Sequence, residues 1–510
     1  MRRVALPEWP WQVVCALAER HNRQLWLVGG AVRDALLSRP LYDWDFAVDR
    51  GALALARATA DALGGAYYTL DAERGTGRVL VSDPAGQRLE LDFALLRGLH
   101  LGADLAARDF TVNAMALDRA GDLIDPTGGL DDLNRGLIRA TSDTAFRDDP
   151  ARLLRALRLQ AELSFQIDSH TVGLIRRDAQ LVVRPSPERT RDELMRLVGT
   201  EGTSAALRTA IDLGLLAPIL PEAARMQGVT QSWPHRHDVW THTLHVLDAF
   251  ENLQRLAERG DTTTLPVADI PQSAWEDLAD LLAPFLSRLA PYLSTEVGGG
   301  HSRSVLLRLA ALLHDTGKPD TWSQDDEGGF HFYGHEELGA DLASQRLRQL
   351  RFGRSEQELV ADVIRAHMRL SSLASAERVT GRAAYRFFRD LEEVGVGTVL
   401  LSLADHLATW GAQLAEPRWR RRLQVADALL RYYYERHPET LGLSPLLTGT
   451  DLMAELGLSE GPLVGKLLES VREAQAAGEV ATREEALALA TRAARAASDR
   501  SGSGKGRAGL

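Results

Sequence analysis

The stretch "LVGGAVRDALLSRPLYDWDFAVD" (residues 27–49) decides how the chain is read. An apolar strand ends in Gly29-Gly30, a short helical run carrying Arg33 follows, and a second apolar strand bears acids at 43 and 45. Residues i and i+2 of a strand project to one side, so Asp43 and Asp45 share a face while Trp44 and Phe46 take the other. Two such carboxylates repel unless a cation lies between them, and their hard oxygens suit Mg²⁺. "RLELDFALL" (88–96) repeats the device, with Glu90 and Asp92 alternating with Leu89, Leu91 and Phe93. If these strands are neighbours, the acids line one face and suit two-metal phosphoryl transfer, one ion activating a 3′-hydroxyl and the other holding a triphosphate. Gly29 and Gly30 would let backbone N–H groups approach a phosphate at the start of a helix, and Arg33 would add positive charge.

Working outward, short β-rich runs continue to about Asp125, interrupted by one helical stretch, "GALALARATADALGG" (51–65). Beyond about residue 130 the strand pattern fades, and Leu/Ala/Arg segments with helical spacing run to about 495. The expected fold class is α+β: a small mixed-sheet head followed by an all-α neck and body. At 510 residues the chain is too long for one core. The boundaries are placed at 1–140 for the head, 141–225 for a helical neck, 226–440 for a second helical domain and 441–495 for C-terminal helices. Residues 258–302 read as a surface insertion, and the Gly/Ser/Arg-rich 496–510 as a disordered tail.

Composition narrows the classes further. Hydrophobic residues at 45% and charged residues at 25% fit an ordinary globular chain, with no apolar run of the ~20 residues that span a bilayer. Glu8 and two prolines interrupt any signal-peptide core, and the lone Cys15 excludes an internal disulfide framework, so a cytoplasmic protein is expected. A net charge of −11 argues against indiscriminate coating of nucleic acid, although Arg-rich runs at 146–158, 184–196 and 418–436 permit local contacts.

Four further motifs follow the opening stretch: "ARDFTVNAMALD" (107–118), "DPTGGLDDLNRGLIRA" (125–140), "DDPARLLRALRLQAELSF" (148–165) and "ERTRDELMRLV" (188–198). Together the five resemble the class II tRNA nucleotidyltransferase and bacterial poly(A) polymerase group of the DNA polymerase β superfamily. The resemblance implies a polymerase-β-like head in which Asp43 and Asp45 hold Mg²⁺ and Asp92 is the auxiliary acid. It implies that Arg108, Asp109 and Asn113 contact ribose and phosphates, and that the partners are a tRNA 3′ end and CTP, with ATP as a further nucleotide. Ala107 stands where that family often has a second arginine.

The fourth motif has its own chemistry. Pro150 suits the first turn of a helix, which would put Asp149 and Arg152 three apart on one face. An accepting Asp and a donating Arg match the pairing edges of cytosine and adenine but not those of uracil and guanine. Arg155 and Arg158 extend the stripe toward a triphosphate or tRNA acceptor. Full CCA-adding members of the group carry a longer loop before the "RDFTVNA" motif, whereas here ten residues separate Arg97 from Arg108. The pattern therefore resembles CC-adding enzymes, with full CCA addition and poly(A) synthesis as alternatives.

A second constellation lies downstream. "SVLLRLAALLHDTGKPD" (304–320) is an apolar helix ending in His314-Asp315, and His242, His335, His367 and Asp405 stand in helical settings around it. Adjacent His and Asp at a buried helix end favour a divalent metal. The order H…HD…H…H…D resembles the HD phosphohydrolase superfamily. The resemblance implies a first ion on His242, His314, Asp315 and Asp405, with Asp315 bridging to a second on His335 and His367. The ion would be Mn, Ni, Co, Fe or Zn, or Mg, and the reaction hydrolysis of phosphoesters on RNA ends or nucleotides. A chain acting mainly as an HD phosphohydrolase is the rival reading. His235, His237 and His245 are left over as structural or peripheral.

Overall fold

Alternating apolar and acidic residues resolve into a seven-stranded sheet in a computed structural model that describes residues 3–260, 270–376, 378–436 and 444–503. Its strands are β1 (Leu25–Val28), β2 (Asp43–Val48), β3 (Ala66–Asp71), β4 (Thr76–Ser82), β5 (Arg88–Leu95), β6 (Ala116–Leu117) and β7 (Leu123–Ile124), in the order β3-β4-β5-β2-β1-β6-β7. Only β2 and β5 pair in parallel, with Asp43 opposite Glu90 and Asp45 opposite Asp92. One face is apolar: Trp44, Phe46, Leu91 and Phe93 are buried, Phe46 stacks on Phe93 at 4.8 Å, and Trp11 of the Glu8–Arg20 helix stacks on Phe46 at 6.2 Å. The Ala52–Leu63 helix closes the same side against β4 and β5. Strand alternation therefore leaves the acids on the opposite face.

The chain divides into two compact units, Met1–Pro221 and Glu222–Leu510. In the first, the sheet passes into helices, of which Arg152–Leu163 and Pro187–Val198 pack together. The second is helical apart from two-residue ladders such as Ser323–Gln324 with Phe330–His331. Its centre is the Val239–Arg259 helix, packed against Arg303–Leu313 and Val394–Trp410, with His335–Gln349 lying on Arg354–Ala366. No helix among the described residues is long and apolar enough to cross a membrane.

Two readings change. Within the segment 258–302, the Gln272–Leu282 and Leu286–Ser294 helices bury Trp275, Leu278, Phe285, Leu289 and Leu293 and pack on the central helix. They are core rather than a surface insertion, because each carries a full apolar stripe; residues 261–269 lie outside the described residues. The last helix, Arg483–Ser503, continues into the stretch read as a disordered tail, of which 504–510 lie outside the described residues.

Candidate functional site

The acidic face of the head is built by register. Like charges directly opposite each other across strands are destabilising, and two arginines offset the Asp43/Asp45/Glu90/Asp92 group. Arg78, opposite Asp92 on β4, donates to both Asp92 oxygens at 2.8 Å and pairs with Glu90 at 2.6 Å. Arg108 reaches in from the other side. Burial, with Asp92 and Asp43 close by, pushes Asp45 up to about 6 although Arg108 opposes the shift. A carboxylate so strained is relieved by a divalent cation, and Asp43 with Asp45 supplies the hard oxygens for one.

Gly29 has a specific reason. Its φ is +77°, and a Cβ added there would meet the Arg108 guanidinium at 2.8 Å and the Asp45 carboxylate at 3.2 Å. The glycine turn thus lets β1 end against both groups, while the helix begins at Gly30. Arg33 is buried, donates to Asn113 Oδ1 at 2.7 Å and chelates Asp34. Asn113 in turn donates to Asp109 at 3.2 Å. Asp109 accepts from Arg155 at 3.1 Å, and Arg155 donates to Glu193 at 2.8 Å. Glu193 also accepts from Arg158 at 2.9 Å, which chelates Glu162. The motif residues from Arg33 to Arg158 form one continuous buried chain of alternating charge.

That chain corrects two expectations. Arg155 and Arg158 do not extend a phosphate-facing stripe, because internal carboxylates on Asp109, Glu193 and Glu162 already hold them. Asp149 and Arg152 do not share a helix face either. The residue before a proline is pushed out of the helical region, so Asp149 is extended (φ −146°) and the helix starts at Arg152. Asp149 pairs with Arg189 of the Pro187–Val198 helix at 2.7 Å. Arg152 donates to the carbonyls of Arg108, Ala107 and Ala145 at 3.1, 2.8 and 3.3 Å. The segment it grips contains the Leu101–Ala106 helix, whose buried Asp104 accepts from Arg97 N at 2.9 Å and from Arg108 Nε at 3.1 Å.

In the second unit all six expected ligands converge as two sets: His242, His314 and Asp405, and Asp315, His335 and His367. Asp315 spans them. Its Oδ2 lies 3.2 Å from His314 Nε2 and 3.7 Å from His242 Nε2, while Oδ1 lies 3.6 Å from His335 Nε2. The aim of the rings is fixed from behind: Nδ1 of His314, His335 and His367 sits 2.8, 2.7 and 2.6 Å from the carbonyls of Ala311, Phe332 and Ile364. Each Nδ1–H donates there, so Nε2 presents its lone pair to the cavity, as outer hydrogen bonds do at metal sites. Nε2 of His242 and of His314 is buried with no partner outside the cluster itself, and Asp315 Oδ2, equally buried, faces these imidazoles and Lys318 Nζ. Such orphaned donors fit a divalent cation. Burial, reinforced by His314 and His335, drives His367 down to about 3. Burial opposes ionisation of Asp315, but His314 and Lys318 hold it well below the usual carboxylate range. Lys318 Nζ lies 2.7 Å from Asp315 and 2.7 Å from Gln231.

Sequence reading passed over Arg78, Asp104, Arg189, Glu193, Lys318 and Gln231. Arg78 did carry a signal, since alternation in "TGRVLVSD" places it with the acids. Asp104 and Lys318 meet Arg108 and Asp315 within four residues, whereas Arg189, Glu193 and Gln231 act through contacts between distant segments. The leftover His235 packs its ring 4.8 Å from that of His242, and His237 faces His245 at 4.6 Å.

Comparison with known proteins agrees with this geometry. Residues 25–139 match the poly A polymerase head domain, 164–227 the probable RNA and SrmB-binding site of polymerase A, and 278–410 the HD domain. An A-adding tRNA nucleotidyltransferase of Deinococcus radiodurans is 35% identical over 91% of this chain and 94% of its own length. A CC-adding tRNA nucleotidyltransferase of Thermus thermophilus is 36% identical over 91% and 92%. The fold resembles that of a Thermotoga maritima CCA-adding enzyme complexed with tRNA, with a TM-score of 0.56, 20% identity and coverage of 96% and 98%.

Proposed function

The chain belongs to the family of tRNA nucleotidyltransferases, and from that premise we propose that it adds two cytidines to the 3′ end of tRNA from CTP, leaving the terminal adenosine to another enzyme. The observation that carries the reading is the connection between Arg97 and Arg108. It is ten residues long, is folded largely as the Leu101–Ala106 helix, and is tied at both ends by Asp104 and from the neck by Arg152. So short and braced a segment has no slack to reshape a base pocket between two nucleotides. Asp43 and Asp45 would hold Mg²⁺, which when bound supplies charge for the reacting phosphate and 3′-hydroxyl. Arg108, beside Asp45, would neutralise phosphate charge, whereas Asp149 and Arg152 would have to exchange their present partners, Arg189 and the backbone carbonyls, to offer complementary groups to the base. Purified protein incubated with tRNA lacking its 3′ CCA and each nucleotide singly should incorporate two residues from CTP and none from ATP. ATP uptake after the two cytidines would reassign the chain to full CCA addition. Addition of A alone to a CC-ended tRNA would make it A-adding, the activity in the name of the Deinococcus relative.

We further propose that the second unit is a metal-dependent phosphohydrolase acting on phosphoesters of RNA ends or nucleotides. The six converging ligands support a divalent centre such as Mn, Ni, Co, Fe, Zn or Mg, which when bound supplies an activated nucleophile. Asp315 faces both ligand sets, and Lys318 keeps it ionised. Release of inorganic phosphate from a 3′-phosphorylated RNA, abolished by His314→Ala and retained in Asp45→Asn, would establish it.

A further inference from the structure

Among the described residues few large aromatics are exposed, and three of them lie in segments that flank the HD centre. Trp233 is 69% exposed, Tyr333 79% and Trp322 47%. Each stands close in sequence to a residue of the HD centre. Tyr333 precedes His335 by two positions, Trp322 follows Lys318 by four, and Trp233 precedes His235, whose ring packs on His242. They also adjoin one another in space. Ser232 is hydrogen-bonded to both N and O of Phe330, Trp322 lies 5.5 Å from the Phe330 ring, and Tyr333 stacks on His331 at 5.3 Å with the planes 7° apart. Trp233 meets Trp410 edge-on at 5.2 Å, and Trp410 lies on the helix that carries Asp405.

The collar has one cation placed for a ligand. Arg418 lies 4.6 Å from the Trp410 ring and 5.8 Å from Trp233, is exposed, and has no carboxylate partner among the described residues. Other exposed arginines of this unit, such as Arg354 and Arg431, are instead paired with a nearby acid. An exposed indole beside an unpaired guanidinium, with an exposed phenol two residues from a candidate ligand of the HD centre, matches one chemistry: a flat base attached to a phosphate. Base–aromatic stacking contributes affinity without reading sequence, and a free Arg contributes charge.

We propose that Trp233, Tyr333 and Arg418 form a base-stacking collar that seats the terminal, unpaired nucleotide of the HD-site substrate, so that this site takes nucleoside phosphates rather than phosphoesters in general. The inference rests on the phosphohydrolase reading of that site. The Trp233 side chain is largely solvent-exposed, and its removal costs the core only the edge contact with Trp410.

The test uses the full chain and two sets of probes. In EDTA, fluorescence anisotropy compares short 3′-phosphorylated oligoribonucleotides ending in adenosine or in an abasic residue. The adenosine-ended probe should bind more tightly, and Trp233→Ala should weaken it roughly 5- to 100-fold, the range that stacking gives on alanine substitution. Trp233→Phe should restore most of that affinity, and the abasic probe should be indifferent to both changes. With Mn²⁺ or Ni²⁺ added, the same substitution should act on KM rather than kcat for phosphate release. A free nucleoside 3′-phosphate included alongside separates the sources: affinity equal to the oligomer's identifies a free nucleotide as ligand, and weaker affinity an RNA end. Equal binding of adenosine-ended and abasic probes, or no effect of Trp233→Ala, would overturn the collar. Absence of phosphate release from any probe by the wild-type chain, with stacking intact, would instead overturn the hydrolase reading beneath it.

Discussion

Asp45 carries opposing demands, because it must be ionised to hold a cation yet faces Asp43 and Asp92 from a buried position. Its raised native value means that the metal-free fold is strained by its charge. A group whose folded pKa lies above the unfolded one stabilises at low pH and loses that contribution as pH rises through the folded value, here about 6. In EDTA at pH 7.5, Asp45→Asn should therefore raise Tm, on the order of 3 °C, and the gap should narrow as pH falls below about 6 and close near the ordinary aspartate value of 3.8. On the proposed function the same substitution should reduce nucleotide addition by about a thousandfold or more, since it would remove one of the two carboxylates proposed to hold Mg²⁺. A variant with lower Tm than wild type throughout would refute the strained-carboxylate account. Gly29→Ala tests the other side of the same contact. The methyl would enter the 2.8 Å approach of Arg108 in a left-handed backbone, costing about 1–3 kcal/mol in stability. Primer extension by Gly29→Ala should slow at least tenfold at saturating CTP.

Between elements, the decisive joint is Glu193, which holds Arg155 and Arg158 and so fastens the Arg152–Leu163 helix to Pro187–Val198. Glu193→Ala would leave Arg155 only Asp109 and Arg158 only Glu162 and cut the tie between the two helices, a loss of about 2–3 kcal/mol, whereas Glu162→Ala, removing a partly exposed end of the chain, should lose far less in a urea melt. Burial alone would raise the Glu193 carboxyl, but Arg155 and Arg158 keep it below the ordinary glutamate value of 4.5. Its contribution is thus complete above about pH 4.5 and disappears as acid protonates it at its depressed native value. Wild type should lose more stability than Glu193→Gln on going from pH 6 to 4. This joint was invisible in the sequence for a physical reason. Alternation reveals that Asp43, Asp45, Glu90 and Asp92 share a face, and strand-ending glycines mark the close approach at Gly29, because both are properties of one strand. The partner of Arg155 lies 38 residues away on another helix, and periodicity says nothing about which charge it meets. The expectation for Asp149 failed on a local rule that was legible: Pro150 keeps the residue before it extended. The helices at 272–294 were misread because their apolar stripes were judged by the polar segments flanking them.

At the scale of the whole chain, two compact units each carry a cluster of candidate metal ligands, and the six residues of the HD cluster were readable from their order because each lies on a helix or just past the end of one. What order does not reveal is that Asp315 directs one oxygen to each ligand set, or that backbone carbonyls turn three imidazoles inward. This sharing makes the substitutions unequal. Full-length protein stripped of metal and reloaded with Mn²⁺ or Ni²⁺ should retain two tightly bound ions in wild type and in Asp45→Asn, by elemental analysis after gel filtration. His335→Ala should retain one, because the His242, His314 and Asp405 set is left complete. Asp315→Asn should hold fewer than one, since it weakens both sets at once and leaves Lys318 Nζ facing a neutral amide. All three should keep their fold by circular dichroism, and the two HD-centre variants should still extend tRNA with CTP and Mg²⁺. Two ions retained in Asp315→Asn would mean that the sets are independent, and that the close approach of one carboxylate to three imidazoles does not make it a bridge.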